Sequence, residues 1–337
     1  MTWAQQGGDF QLGDLPVEKG GTIRNAHIVW QTHGTLNAAK DNVVLYPCSY
    51  TAQHPDMAWL IGPDGILDPT RWFIVIPNMF SNGLSSGAGE TPDYPAVVTS
   101  RDNVMAQARL LREVFGIERL AAVYGFSMGA QQAYHWAALF PDAVDRAFVV
   151  CGSARTAVHN QVFLSSLLRT LEAAPEHIGG GRFSAEPRAA LRAFAHIYAG
   201  WALSQDFYRA GLHMTALGAP DLTTFLRTDW EERYHARKAA NLYAQLVTWF
   251  HGDIAADPRY AGDLVAALNA IKAKMLLLPG RTDLYFPPAD NAAELPHLKH
   301  AELRPIPSVW GHRAGNPNVS KEDFAFLKAA VREWLER

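Results

Sequence analysis

The segment Gly125-Phe126-Ser127-Met128-Gly129 sets a serine between two glycines in the pattern G-x-S-x-G. A serine hydroxyl is a weak nucleophile until a base takes its proton. The setting gives the pattern its meaning. Leu120 to Tyr124 reads as a buried strand, and Gln131 to Phe140 reads as a helix that stops at Pro141. A strand-to-helix turn this tight strains the backbone at Ser127, and glycines on either side avoid Cβ collisions. The hydroxyl then projects above the C-terminal edge of a sheet. The following helix aims its N-terminus at the same point, where free N–H groups favour a developing oxyanion.

Where such an elbow carries a nucleophile, the chain order is serine, acid, histidine. The acid belongs past a late strand, and Met275 to Leu278 is followed by Asp283. The histidine belongs in the loop after the last strand, where Ser308-Val309-Trp310-Gly311-His312 offers His312. In that arrangement His312 shuttles the proton, and Asp283 holds the imidazole in the correct tautomer. Asp290 is the alternative acid. His54, His135, His159 and His251 are other cleft candidates, but none follows a late strand in the required order. Asp102 reads as a helix-start residue that caps free N–H groups. The backbone N–H of Met128 is expected as one oxyanion donor. The second is expected from Tyr50, in the loop Pro47 to Thr51. Cys48 in that loop reads as a small buried residue.

These residues need a sheet to hold them. Short apolar runs at 26–30, 43–46, 73–76, 120–124, 147–150 and 275–278 lack polar alternation, as strands buried on both faces do. Helical patterns alternate with the later ones, at Val104 to Phe115, Gln131 to Phe140 and Phe324 to Leu335. That alternation predicts an α/β protein with a mostly parallel sheet. The first strands have no helices between them, which predicts an antiparallel edge. From Thr156 to Leu268 the reading is almost all helical, predicting a helical cap (156–268) inserted into a core made of 1–155 and 269–337. Gly83 to Pro95 reads as an ordered surface loop.

Composition excludes several classes. Apolar residues make up 48% of the 337, and charged residues 19%, which suits a globular fold rather than disorder or a coiled coil. Thirty basic against thirty-three acidic residues leave a formal charge of −3 and no basic stripe for nucleic acid. No apolar run approaches ~18 residues, so no membrane partner is expected. The N-terminus shows no charged and apolar leader pattern, so a cytoplasmic protein is expected. The two cysteines, Cys48 and Cys151, need not pair. No H-E-x-x-H and no G-x-x-x-x-G-K-[ST] occurs, and His297 with His300 reads as a surface pair. No metal and no cofactor are expected.

The chain resembles the α/β-hydrolase superfamily, and within it the homoserine O-acetyltransferases and their esterase-like relatives. The resemblance rests on Gln31-Thr32-His33-Gly34-Thr35 with Asn42 to Leu45, on Thr99-Ser100-Arg101-Asp102-Asn103-Val104 with Gln107, and on the elbow itself. Arg237 with Ala240-Asn241-Leu242-Tyr243, Asp283-Leu284-Tyr285-Phe286 and Ser308 to His312 complete it. It implies an α/β-hydrolase fold, an acyl-serine intermediate on Ser127, and a small-molecule acyl substrate under a helical cap through which the family often forms homodimers. It also implies substrate contacts: Arg237 as a clamp for a carboxylate, Tyr243 in the cap segment, and Phe126 narrowing the acyl pocket.

The departures bear on the acceptor. The acetyltransferases show G-G-S-M-G-G, whereas Phe126 and Ala130 stand here. Their cap segment carries an acid and a serine where this chain has Ala239 and Leu242. Losing the acid removes a partner for an amino group. Hydrolysis of a small or medium ester, thioester or amide is therefore the first expectation. Transfer of a short acyl group from acyl-CoA as co-substrate to a hydroxyl is the alternative. A non-catalytic ligand-binding protein is a third reading, opposed by the intact order of serine, acid and histidine.

Overall fold

In the computed structural model, which describes residues 2–336, the apolar runs form the middle of one sheet. Its strands are β1 (Gln5–Pro16), β2 (Thr22–His33), β3 (Val43–Leu45), β4 (Phe73–Pro77), β5 (Ala122–Phe126), β6 (Arg146–Val150), β7 (Lys274–Leu278) and β8 (Ala301–Leu303). Their spatial order is β1-β2-β4-β3-β5-β6-β7-β8. The strands β3 to β8 are parallel, and β1 and β2 form the expected antiparallel edge.

The helices are α1 (Ser100–Leu110), α2 (Met128–Leu139), α3 (Val158–Glu172), α4 (Arg188–Ala202), α5 (Gln205–Arg209), α6 (Leu212–Thr215), α7 (Leu222–Phe225), α8 (Glu232–His235), α9 (Ala239–Phe250), α10 (Leu264–Ala270), α11 (Pro288–Glu294) and α12 (Lys321–Glu336). Successive strand residues point to opposite faces, and each face has its own cover. Val43, Leu45, Val123 and Leu277 pack with Ala133, Tyr134 and Ala137 of α2. Val44, Tyr124, Phe148 and Leu276 pack with Leu327, Val331 and Trp334 of α12. Burial on both faces explains why these strands read as unbroken apolar runs.

Two strands escape the sequence reading for the opposite reason. β1 is an edge strand with most residues exposed, and β8 has three half-buried residues. Neither has an apolar run. Between β6 and β7 the named elements are helices, α3 to α10. The stretch expected as a surface loop is buried in part, at Ser85 to Gly87. Ser85 and Ser86 are each 3% exposed, and their hydroxyls accept hydrogen bonds from Val29 and His27 backbone N–H groups of β2. The loop therefore satisfies strand donors beyond the reach of a neighbouring strand.

The sheet order reverses between β3 and β5: the chain leaves β3 toward β4 and returns on the other side. Loops diverge at such a point, and a crevice opens above the strand ends. The turn after β5 carries Ser127 and the loop after β3 carries Tyr50, so the two elements expected to face each other flank this point.

Candidate active site

Ser127 has φ +58° and ψ −126°, outside the regions comfortable for a residue with a Cβ. The surroundings enforce this strain. Its N–H donates to Val150 O of β6 at 2.9 Å, and its carbonyl accepts from Ala130 N at 2.9 Å. A Cβ on Gly125 would lie 2.2 Å from Gly129 O, so only glycine lets α2 approach β5 this closely. A Cβ on Gly129 would meet Pro47 O at 2.6 Å. The two glycines of the motif therefore admit two different neighbours, the helix and the loop after β3.

The three side chains separated in sequence meet here. His312 Nε2 lies 2.8 Å from Ser127 Oγ, and His312 Nδ1 lies 2.7 Å from Asp283 Oδ2. The residues are 3%, 7% and 3% exposed in the order Ser127, His312, Asp283, so the relay is shielded from bulk water. The other carboxylate oxygen of Asp283 accepts from Tyr285 N at 2.8 Å and Phe286 N at 3.2 Å. This is an Asx turn, legible in hindsight in the Asp-Leu-Tyr-Phe run. The acid and histidine loops are cross-tied: Thr282 Oγ1 donates to Ser308 O and accepts from Gly311 N, each at 3.1 Å. Ser308 Oγ in turn donates to Asp323 of α12 at 2.6 Å.

Three rings enclose the imidazole: Tyr285 at 4.7 Å, Phe126 at 4.8 Å and Phe286 at 5.7 Å between centroids. Above them lies a roof of aromatic side chains. Tyr50 stacks on Tyr198 of α4 at 5.7 Å, and Trp249 of α9 stacks on Phe286 at 5.7 Å. Burial holds the Tyr198 and Tyr285 hydroxyls above the ordinary tyrosine range, so both are uncharged at neutral pH.

The loop after β3 is fastened to α2 by Gln132 Nε2, which donates to Cys48 O at 2.9 Å. Among the described residues, the N–H groups of Met128 and Tyr50 have no backbone or side-chain acceptor. Two unused donors on adjoining elements fit an oxyanion site. The Tyr50 side chain faces away from that role, its OH donating to Leu242 O at 3.2 Å.

The residues expected as substrate contacts have partners within the protein. Phe126 packs against the imidazole and beneath Gly315, where a Cβ would lie 2.7 Å from its ring, so it braces His312 rather than lining an acyl pocket. Arg237 Nη2 lies 3.4 Å from Asp56 Oδ2, and its Nε is buried without a partner. Tyr243 donates its OH to Glu172 at 2.8 Å and covers Gly181. The reason is helical phase. On α9 the buried apolar residues are Ala239, Leu242, Leu246 and Trp249, and Tyr243, one step on from Leu242, points about 100° away from it.

Asp290 is not bonded to His312. Its Oδ2 is buried without a partner, and burial raises its carboxyl above the ordinary range. Asp102 completes a capping box with Thr99, the actual N-cap of α1. Cys48 is fully buried, and burial pushes its thiol well up. No helix among the described residues is long and apolar enough to cross a membrane.

Comparisons with known proteins show the family. Residues 59–312 match the family described as the alpha/beta hydrolase fold. A "probable esterase" of Corynebacterium glutamicum is 36% identical over 337 residues, covering 96% of this chain and 94% of that one. An ethyl acetate hydrolase of Pseudomonas veronii is 35% identical, covering 90% and 89%. The crystal structure of an acetylester hydrolase from Corynebacterium glutamicum superposes with a TM-score of 0.93 at 34% identity, covering 98% and 96%. Homoserine O-acetyltransferases also match, one from Acidiphilium cryptum at 30% identity.

Proposed function

The chain belongs to the α/β-hydrolase family, and from that premise we propose that it is an esterase that releases a short acyl group, acetyl foremost, from an alcohol through acyl-Ser127. The observation that carries this is the continuous path from Ser127 Oγ through both nitrogens of His312 to Asp283, with links of 2.8 and 2.7 Å. As Ser127 Oγ bonds to the acyl carbon, its proton passes to His312 Nε2 and the carbonyl electron pair moves onto oxygen. The N–H groups of Met128 and Tyr50 hold that oxyanion. Collapse breaks the bond to the alkoxide, which takes the imidazolium proton and leaves as the alcohol. Water then repeats the sequence: its proton goes to Nε2, its oxygen takes the acyl carbon, and Ser127 recovers the proton. Asp283 stays ionised throughout and stabilises the imidazolium. No step calls for a cofactor.

Two features support hydrolysis over transfer. A transferase must hold an acceptor more tightly than water. Here the positions of the acetyltransferases' acid and serine are Ala239 and Leu242, both buried, and the Leu242 carbonyl is taken by Tyr50. The aromatic packing over His312 supports a small acyl group.

The test uses ethyl and nitrophenyl esters of graded chain length beside acetyl-CoA, with and without homoserine. Acid release from acetyl esters in water alone, falling with chain length, is expected. Thiol release from acetyl-CoA that depends on the added hydroxyl would make the protein an acyltransferase.

A further inference from the structure

The two oxyanion donors are secured differently. Met128 is the first residue of α2, so the elbow itself places its N–H. Tyr50 lies in a loop, and its backbone must be aimed by other groups. Upstream the loop is tied at Cys48, whose carbonyl accepts from Gln132 Nε2 at 2.9 Å. Downstream it is tied at Ala52, whose carbonyl accepts from Asn82 Nδ2 at 2.9 Å. Between these ties the chain makes a tight turn, closed by Ala52 N donating to Ser49 O at 3.1 Å. Tyr50 and Thr51 are its central residues, and Thr51 has φ +60°. A positive φ at that position is the sign of a type II turn, which ordinarily takes glycine or asparagine there. A β-branched threonine is strained in it.

The cap helix α9 holds this turn. Thr51 N–H donates to Gln245 Oε1 at 2.8 Å, and Gln245 Nε2 donates to Phe80 O, in the loop after β4, at 3.2 Å. One partner is a donor and the other an acceptor, so the pair fixes the orientation of the amide. Gln245 is 1% exposed, and water does not compete for either bond. Three residues earlier, on the same side of α9, Leu242 O accepts from Tyr50 OH at 3.2 Å. The helix therefore grips both the Tyr50 side chain and the peptide that follows it. That peptide is the one whose flip exchanges a type II turn for a type I turn, with negative φ at the third residue. The flip would relax Thr51 and turn its N–H away from Gln245. We propose that Gln245 is a positioning residue: it holds the strained Thr51 peptide against this flip and so keeps the Tyr50 N–H aimed at the oxyanion. The proposal rests on the reading of Ser127 as nucleophile and of the Tyr50 N–H as oxyanion donor.

Such a role has a signature that a packing defect lacks. Gln245→Met keeps the volume and removes the acceptor for Thr51 N–H. Counted per site labelled by a fluorophosphonate probe, its kcat for an acetyl ester should fall about ten- to hundredfold, with KM within about twofold. Its affinity for an alkyl trifluoromethyl ketone, whose adduct with Ser127 carries an oxyanion in the same place, should fall by the same factor. The acid limb of the kcat/KM profile should stay where it is, because His312 and Asp283 are untouched. In a Thr51→Gly background the positive φ carries no strain, so the loss caused by Gln245→Met should shrink to under about threefold. Where Gln245→Met does not fold, Gln245→Asn takes its place, an amide one methylene too short to reach Thr51. A per-site kcat within threefold of the wild type, a fall in kcat without a matching loss of ketone affinity, or an equal loss in both backgrounds would overturn the proposal. The probe on the wild type separates the two levels. Unlabelled Ser127 sinks the catalytic reading and this proposal together; labelled Ser127 with any of those three results sinks this proposal alone.

Discussion

The floor and the roof of the site are built on different principles. The floor consists of strand ends. Ser127, Asp283 and His312 sit in turns after β5, β7 and β8, held by backbone hydrogen bonds and by glycines that admit close approach. The roof, from α3 to α9, is held by side chains: the Tyr50–Tyr198 stack, Trp249 over Phe286, and Trp230 with the Arg313 guanidinium 4.8 Å from its ring. Its helices α5 and α6 have five and four residues, too short to stand without tertiary packing, and α7 and α8 are the two ends of one helical run joined by the π-helical stretch Leu226–Glu231. Buried polar atoms without partners occur in it at Asn160, Trp230 Nε1 and Trp249 Nε1. The floor fixes three side chains in one hydrogen-bonded chain, while the roof packs rings over them. Substitutions in the two should therefore fail in different ways.

The largest effect belongs to the floor. Asp283→Asn keeps the shape but offers the imidazole a donor where it needs an acceptor, which traps the wrong tautomer. kcat should fall on the order of 10³–10⁴-fold in steady-state assays, with KM little changed. A loss below tenfold would mean that Asp283 is not the orienting acid.

A roof substitution should act on stability instead. Trp230 is 3% exposed, so Trp230→Ala should cost about 3–5 kcal/mol in denaturant melts. The folded fraction should keep kcat within about tenfold, because no triad hydrogen bond passes through Trp230. A collapse of kcat in protein that remains folded would show that the roof, too, sets the relay.

Beneath the floor, pH exposes a buried pair with opposite signs. His135 of α2 is pushed down to about 4, chiefly by burial and then by the charge of Arg101, with Asp257 opposing. The unfolded chain takes up a proton near the ordinary 6.5, so stability is lost as pH falls from about 6.5 to about 4. Glu294 is pushed up to about 7 by burial, so it favours the folded state as pH falls from about 7 to its ordinary 4.5. The two slopes offset each other between about 4.5 and 6.5. His135→Gln should therefore gain on the wild type as pH falls, by on the order of 2–3 kcal/mol between pH 7 and pH 4. Thermal melts across that range check it; a constant difference would mean that His135 is not held neutral.

The smallest effect is expected where the sequence suggested a clamp. Arg237 makes a 3.4 Å ion pair with a half-exposed Asp56, so Arg237→Ala should change stability by no more than about 1 kcal/mol. kcat/KM for neutral and carboxylate-bearing esters should move together, by less than about threefold. A selective rise in KM for the carboxylate ester would restore the clamp.

The same division explains what the sequence disclosed. The elbow, the acid and the histidine were legible because strand ends are marked by apolar runs followed by Gly, Pro or Asp, and because the chemistry demands their order. The roof contacts were not. Tyr243 lies in a segment that resembles the acetyltransferases, but whether its ring meets substrate depends on the rotational phase of α9 and on where Glu172 of α3 stands. Phe126 reads as pocket bulk until its ring is found against His312. Gln245 carries no motif, and its hold on Thr51 arises from where α9 lies against the loop after β3. Edge strand β1 lacks the burial that would mark it.

The account stands most directly on a covalent bond. Enzyme mixed with nitrophenyl acetate, quenched in acid during the first turnover and digested, should carry one acetyl group on the peptide containing Ser127. That adduct should be absent from Ser127→Ala. Steady turnover with no acetyl on Ser127, or with acetyl on another residue, would contradict it.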